Sequence, residues 1–294
     1  MMKFRWIIDR LAGKSMYLTV IAVNSILFII LISLFLKAYP ILIQKTAVDL
    51  FLSTSWHPMK NEFGFYSFII GTLEVTFMAM FIATPLSIFS AIYLSEYAGK
   101  RLKEIIVLVI DLLAAIPSVV YGLIGVILIV PSVKIMGQSI GYNTTGYCLL
   151  SGGIILAIMV LPVIISISVE VLNSIPFEAR EASIALGATK WETIKYVLIK
   201  QGMGGMFAAI ILGFTRALGE TMAVLMVTGN VSNISLSIFD PVYTLPGLIA
   251  NNYGEMMSIP LYSSALMLAS LILFFVVAIF SIFARIILAK IEKV

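Results

Sequence analysis

The sequence predicts an all-α, polytopic membrane protein with six transmembrane helices. Three observations carry that expectation. Of 294 residues, 61% are hydrophobic and only 12% charged, and the mean hydropathy is +1.10; soluble domains run near half apolar and a quarter charged. Six apolar stretches reach the ~20 residues that a bilayer crossing needs. The lysines and arginines between them are unevenly shared. Fourteen fall on one side, four on the other, and Arg216 lies inside a span. By the positive-inside rule both termini are expected in the cytoplasm, with the chain in the cytoplasmic membrane.

The first stretch, roughly 16–37, follows Lys3, Arg5, Arg10 and Lys14. Its apolar run is longer than a signal-peptide core and no cleavage site follows, so it reads as a retained helix. The second, 66–95, closes before Glu96. The third, 104–133, contains Pro117, and the fourth, 147–173, contains Pro162. Each proline removes a backbone donor and is expected to kink its helix. The carbonyl so freed needs a partner in a membrane, so both positions are expected to be buried. The fifth stretch is 204–228 and the sixth 261–288. Residues 1–64 read as an N-terminal transmembrane helix with an outer loop, and 65–290 as one transmembrane domain.

Several classes are excluded. A lone cysteine, Cys148, rules out an internal disulfide, and a lone histidine, His57, rules out a His-rich metal site, so no metal ligand set is expected. The net charge of +4 belongs to topology and not to nucleic acid. Gly13-Lys14-Ser15 is not a phosphate-binding loop, because position 8 is Ile and no strand precedes it. The chain is therefore not expected to hydrolyse ATP. His57 and the pair Asp111 and Glu170 read as solvated, and Trp191 as an interfacial anchor. Glu74 stands inside the second span, lining a pathway or hydrated near the outer surface.

The inner loop from Asn173 to Glu192 carries the first motif. Ser174 suits a helix cap and Pro176 a first turn. Glu178 and Glu181 sit at the positive end of that helix. Gly187 is a natural stop, and a second amphipathic segment runs from Trp191 to Ile199. The spacing Glu181-Ala182-Ser183-x-x-x-Gly187, within 176–190, resembles the coupling motif of binding-protein-dependent ABC importer permeases. In that family the short helix docks into a groove of the ATPase subunit. Ser183 replaces a second alanine, and Lys200 stands where a proline often follows the pair Leu198-Ile199. The plainer alternative is an amphipathic helix lying on the membrane surface.

The fifth span carries the second motif. Arg216 and Glu220 are four residues apart, so a continuous helix puts them on one face, with Gly213 and Ala223 beside them. Counted from a helix start near 204, Arg216 lies roughly 18 Å deep, close to the midplane. Charges at that depth point to a functional site. The guanidinium fork suits a tetrahedral oxyanion. The alternative is a structural salt bridge that locks two helices.

Arg216-Ala217-Leu218-Gly219-Glu220-Thr221-Met222-Ala223-Val224, with Gly229-Asn230 after it, resembles the phosphate permease subunits of ABC importers, PstC type. So does Asp111-Leu112-Leu113-Ala114-Ala115-Ile116-Pro117-Ser118-Val119-Val120-Tyr121-Gly122, and the likeness spans about 65–290. The resemblance implies a type I (MetI-like) ABC importer permease fold and a transport subunit, not an enzyme. It implies a homologous permease (PstA type), two ATPase subunits (PstB type) that use ATP and Mg, and an extracytoplasmic phosphate-binding protein (PstS type). This chain itself would bind no cofactor. Arg216, Glu220, Thr215 and Thr221 would line the substrate pathway, and Glu181, Ala182, Ser183 and Gly187 would couple to the ATPase. Similar sulfate and molybdate permeases also carry the glutamate, so selectivity is expected to reside in the binding protein. The alternatives are a permease for another oxyanion, a proton-driven secondary transporter, or a membrane scaffold.

Overall fold

The computed structural model describes residues 2–291, with side chains from Leu11 onward. Lys293, one of the topology charges, lies outside the described residues. The fold is helical apart from one two-residue hairpin, and six helices are long and apolar enough to cross a membrane.

Helix α1 (Met2–Gln44) is a 43-residue rod. At about 1.5 Å per residue it is roughly twice as long as a bilayer core is thick, so the expected span 16–37 is only its middle. It packs along α13 (Pro260–Ile291). Its far end is followed by α2 (Ala47–Phe51), capped by Thr46, and by a hairpin of β1 (Trp56–His57) with β2 (Glu62–Phe63). Trp56 sets its ring edge-on against Phe63, Phe68 and Tyr262, which ties this loop to α3 (Tyr66–Ile92) and α13. His57 remains on the exposed side, 3.2 Å from Glu62.

The centre is α3 (Tyr66–Ile92) against α7 (Leu149–Ser174), with α10 (Ile199–Leu218) leaning on α7. Small side chains set these crossings. A Cβ on Gly213 would sit 2.8 Å from Val160 and Ile164, so only glycine lets α10 approach. In lipid this close van der Waals packing replaces the hydrophobic drive that holds soluble cores together. Val75, Ala79, Leu156, Val160, Ile164, Ala209 and Ala217 form the buried middle.

Two expected spans are broken. The third divides into α4 (Lys100–Ala115), then α5 (Ser118–Ile124), which runs through a π-helical turn into α6 (Val130–Ser139). The segment long enough to cross is Ser118–Ser139, not 104–133. The fifth is one helical run from Lys190, through α9 (Lys190–Thr193) and a π-helical turn, to the end of α10 at Leu218. After the break comes a single turn, α11 (Met222–Leu225). Pro162, by contrast, is buried inside an uninterrupted α7.

At the end of the bundle remote from α8 (Phe177–Ala185), the chain after α11 folds back over α7. The amides of Cys148, Leu149 and Leu150 donate to the carbonyls of Val227, Asp240 and Ile238 at 2.9–3.1 Å. These are donors that a helix start leaves without partners. Asp240 accepts from the Tyr142 hydroxyl and from the amides of Leu236 and Ser237. The short α12 (Leu245–Asn252) is then buried against α3 and α13.

Candidate functional site

The first break is made by Pro117. It has no N–H, and it pushes the preceding residue out of the helical region, so Ile116 and Pro117 are both extended. The carbonyl of Leu113, four residues back, loses its helical donor. The hydroxyl of Tyr121 takes that place at 2.7 Å, from a buried side chain. Pro117 itself is exposed, contrary to the expectation of burial, because Tyr121 from within the chain satisfies the freed carbonyl.

The second break lies at Gly219-Glu220-Thr221. Glycine is a poor helix residue, and Glu220 turns its carboxylate to accept from the Ala223 amide at 3.3 Å, which starts α11 anew. Helix α10 thus closes two residues after Arg216, Glu220 falls just past its end, and Ala223 lies beyond the break. Among the described residues the ion pairs are His57–Glu62 and Arg180–Glu96, and Arg216 is in neither. Within this chain the helix-locking salt bridge does not form. The Arg216 side chain is exposed.

The two breaks meet. Gly122 of α5 faces α11, where an added Cβ would stand 3.2 Å from the Ala223 Cα and closer still to Met226. Gly125 faces Val227 in the same way, and Tyr121, Ile155, Met159, Ala223 and Val227 share one buried cluster. The two sequence motifs are thus one structural unit. Non-helical backbone in a span is tolerated only where protein buries it or a wet cavity borders it. Depth follows from α7. Gly213 touches Val160 and Ile164, midway along Leu149–Ser174, and Arg216 is one turn further on. That contact, and not the helix start, places Arg216 near the middle of the bundle. The hydroxyls of Thr215 and Thr221 donate to the carbonyls of Ile211 and Gly219.

The other motif forms a helix–turn–helix at one end of the bundle. Helix α8 ends at Gly187, whose φ of +85° is one that L side chains rarely adopt. Thr189 and Glu192 then make a reciprocal capping box that starts α9. Ser174 does not cap α8 as expected; its hydroxyl donates back to Val171 and closes α7. Glu181, Ala182 and Gly187 are exposed, together with the apolar side chains of Phe177, Ile184 and Leu186. Ser183 instead faces inward, 3.0 Å from the Thr193 hydroxyl.

Sequence reasoning passed over the groups beneath α8. Arg180 is one of the fourteen charges on the more basic side, and Glu96 follows the second apolar stretch. They form a largely buried ion pair at 2.8 Å, with the two side chains 15% and 11% exposed. Arg180 also donates to the carbonyls of Leu172 and Ile175 at the end of α7. A basic residue opening one helix and an acid closing another on the same membrane side was the available signal. Asp111 and Glu170 line one cavity of about 360 Å³ with Lys103 and Asn173, between α4 and α7. Glu74 accepts a hydrogen bond from Ser235 of the folded-back loop.

Comparison with known proteins agrees with this architecture. Residues 83–293 match the family described as binding-protein-dependent transport system inner membrane component. A probable phosphate transport system permease protein PstC of Methanocaldococcus jannaschii is 37% identical over 89% of this chain and 88% of its own. The phosphate transport system permease protein PstC of Xylella fastidiosa is 36% identical over 85% and 82%. Among solved structures, an inward-facing form of the MetNI methionine ABC transporter gives a TM-score of 0.60 at 17% identity, covering 81% of this chain and 99% of that one. The likeness of fold is thus as expected, and the chain belongs to the family of binding-protein-dependent transport system inner membrane components.

Proposed function

We propose that this chain is a permease subunit of an ATP-driven importer of inorganic phosphate. It lies in the cytoplasmic membrane with both termini in the cytoplasm. It pairs with a similar permease of PstA type, above two ATPase subunits of PstB type and below a phosphate-binding protein of PstS type. The observation that carries the reading is the unit formed by the two helix breaks, with Arg216 exposed beside it and in no ion pair among the described residues. An unpaired cation near mid-bundle is costly unless it borders a wet path or a partner. It offers a planar fork of donors to an oxyanion. Anion binding there is weak, since a tight site would hold the ion and stop transport.

In this reading Arg216 is the anion station and Glu220 shapes the break beside it. Thr215 and Thr221 serve as donors only by releasing the carbonyls they now bond. Glu181, Ala182 and Gly187 face the ATPase subunit with Phe177, Ile184 and Leu186, while Ser183 braces the turn. The relatives' names support phosphate as the substrate. The test is the complex reconstituted in vesicles with its binding protein. Phosphate-loaded binding protein is expected to stimulate ATP hydrolysis and phosphate uptake. Stimulation by sulfate- or molybdate-loaded protein instead would assign another oxyanion.

A further inference from the structure

We infer that Arg180 and Glu96 form the joint through which movement of α8 reaches the transmembrane core. The inference rests on the proposed docking of α8 to an ATPase subunit and adds the route taken from there. Helix α8 is short and mostly exposed, and Pro176 gives the corner after α7 no main-chain donor. A push on α8 would be absorbed at that corner unless something fixed the angle. Arg180 fixes it. One guanidinium holds the carboxylate of Glu96, in the π-helical turn Tyr93–Tyr97 that continues α3, through Nη2 at 2.8 Å and Nε at 3.3 Å. It also holds the Ile175 carbonyl at 2.7 Å and the Leu172 carbonyl at 2.8 Å.

The three attachments tie α8 to the ends of α3 and α7, the helices that make the centre of the bundle. The surrounding polar groups extend the tie. Ser95 donates to Glu96 and to Asn173, and Lys103 of α4 donates to Asn173 at 3.0 Å. The helix that leads into Pro117 is thereby in the same network. A separate link, Ser183 to Thr193, runs to the start of the helix that carries Arg216. Burial matters here: a pair at 15% and 11% exposure is shielded from salt and water, so its geometry stays fixed under load. The planar guanidinium spreads these bonds over Nε, Nη1 and Nη2, a reach that the single nitrogen of a lysine ammonium lacks, so Arg180 is a positioning residue that lysine replaces poorly.

The experiment uses the whole complex in vesicles of phosphatidylethanolamine and phosphatidylglycerol. Arg180→Lys and Glu96→Ala are each compared with the wild type for bound ATPase subunits, ATP hydrolysis and phosphate uptake. Both variants are expected to keep their ATPase subunits while phosphate imported per ATP falls about tenfold. A second measurement reads the joint directly. Spin labels at Gly99→Cys and Glu178→Cys, in a Cys148→Ser background, give a narrow distance distribution that broadens in both variants. Unchanged uptake per ATP, or an unchanged distribution, overturns the inference. Loss of the ATPase subunits also overturns it, because the pair would then build the docking face and not transmit from it. If the wild-type complex imports no phosphate, the substrate reading fails, while the label distances still decide on the joint.

Discussion

The Tyr121 hydroxyl donates to the Leu113 carbonyl at 2.7 Å, across the break that Pro117 makes. It repairs from the side the hydrogen bond that proline removes from the axis. Tyr121→Phe keeps the ring and leaves the Leu113 carbonyl only the longer 3.3 Å bond from the Ile116 amide, at a cost of about 1 kcal/mol. The variant is expected to unfold at lower temperature in detergent. Phosphate uptake is expected to fall further than that loss of stability accounts for, because α5 is no longer held at its angle. Unchanged uptake with unchanged unfolding would show that a water replaces the hydroxyl.

Gly122 offers a second handle on the same unit. Any side chain there meets the main chain of Ala223 at 3.2 Å, which cannot swing aside as a flexible side chain does. Gly122→Val is expected to separate α5 from α11, with an overpacking cost of about 1–3 kcal/mol. Gly99→Val is the control, since nothing lies within 4 Å of its Cβ. Uptake assays on the two variants check this: the first loses transport and the second keeps it.

Much of this was legible in the residues. Apolar length gave the six crossings, and Gly187 with its neighbours gave the helix–turn–helix, because both rest on local rules. Composition could not show where a span is broken. Pro117 predicts a bend, but no local pattern reports that the Tyr121 hydroxyl reaches the Leu113 carbonyl across it. The break at Gly219 is not legible from hydropathy, because apolar residues resume at Met222 and carry the length of the span past it. Spacing alone then put Arg216 and Glu220 on one face. The pairing of Arg180 with Glu96 joins residues 84 apart in sequence, which no local pattern reports.

The folded-back loop should respond to acid. Asp240 is held below the usual carboxylate range, first by the Tyr142 hydroxyl and then by the Leu236 and Ser237 amides, against some desolvation. A depressed folded value means that its contribution is complete above the unfolded value near 4 and is lost as pH falls through the folded value. Amide exchange at Leu236 and Ser237 is therefore expected to lose protection as the pH falls below about 4. Asp240→Asn should reduce protection at neutral pH and flatten that pH dependence. A wild-type loop whose protection is constant through that range would contradict the assignment.

Gly187 is required for its backbone and not for its space. Nothing lies within 4 Å of its Cβ position, yet its φ is +85°. Gly187→Ala then costs about 1–2 kcal/mol of left-handed strain without any clash. Gly187→Asn, which tolerates that region better, should cost less. Coupling of ATP hydrolysis to uptake is expected to rank glycine above asparagine above alanine. A ranking by side-chain size instead would mean that a partner surface packs on this position.

That Arg216 and Glu220 form no ion pair with each other makes the two residues distinguishable by experiment. Were they a locking pair, neutralising either one would leave the other a lone charge, and the two variants would behave alike. Here Glu220 acts on the Ala223 amide at 3.3 Å, and Arg216 has no ion-pair partner among the described residues. Glu220→Gln keeps an oxygen for that amide and should retain most uptake. Glu220→Ala removes the cap and should cost about 1 kcal/mol of stability, with reduced uptake. Arg216→Gln should assemble normally and lose transport, with the ATPase subunits still bound. Arg216→Lys keeps the charge but not the fork and should fall between. If Arg216→Gln and Glu220→Gln both import phosphate at the wild-type rate, neither residue lies on the path, and the unit of two broken helices is structural alone.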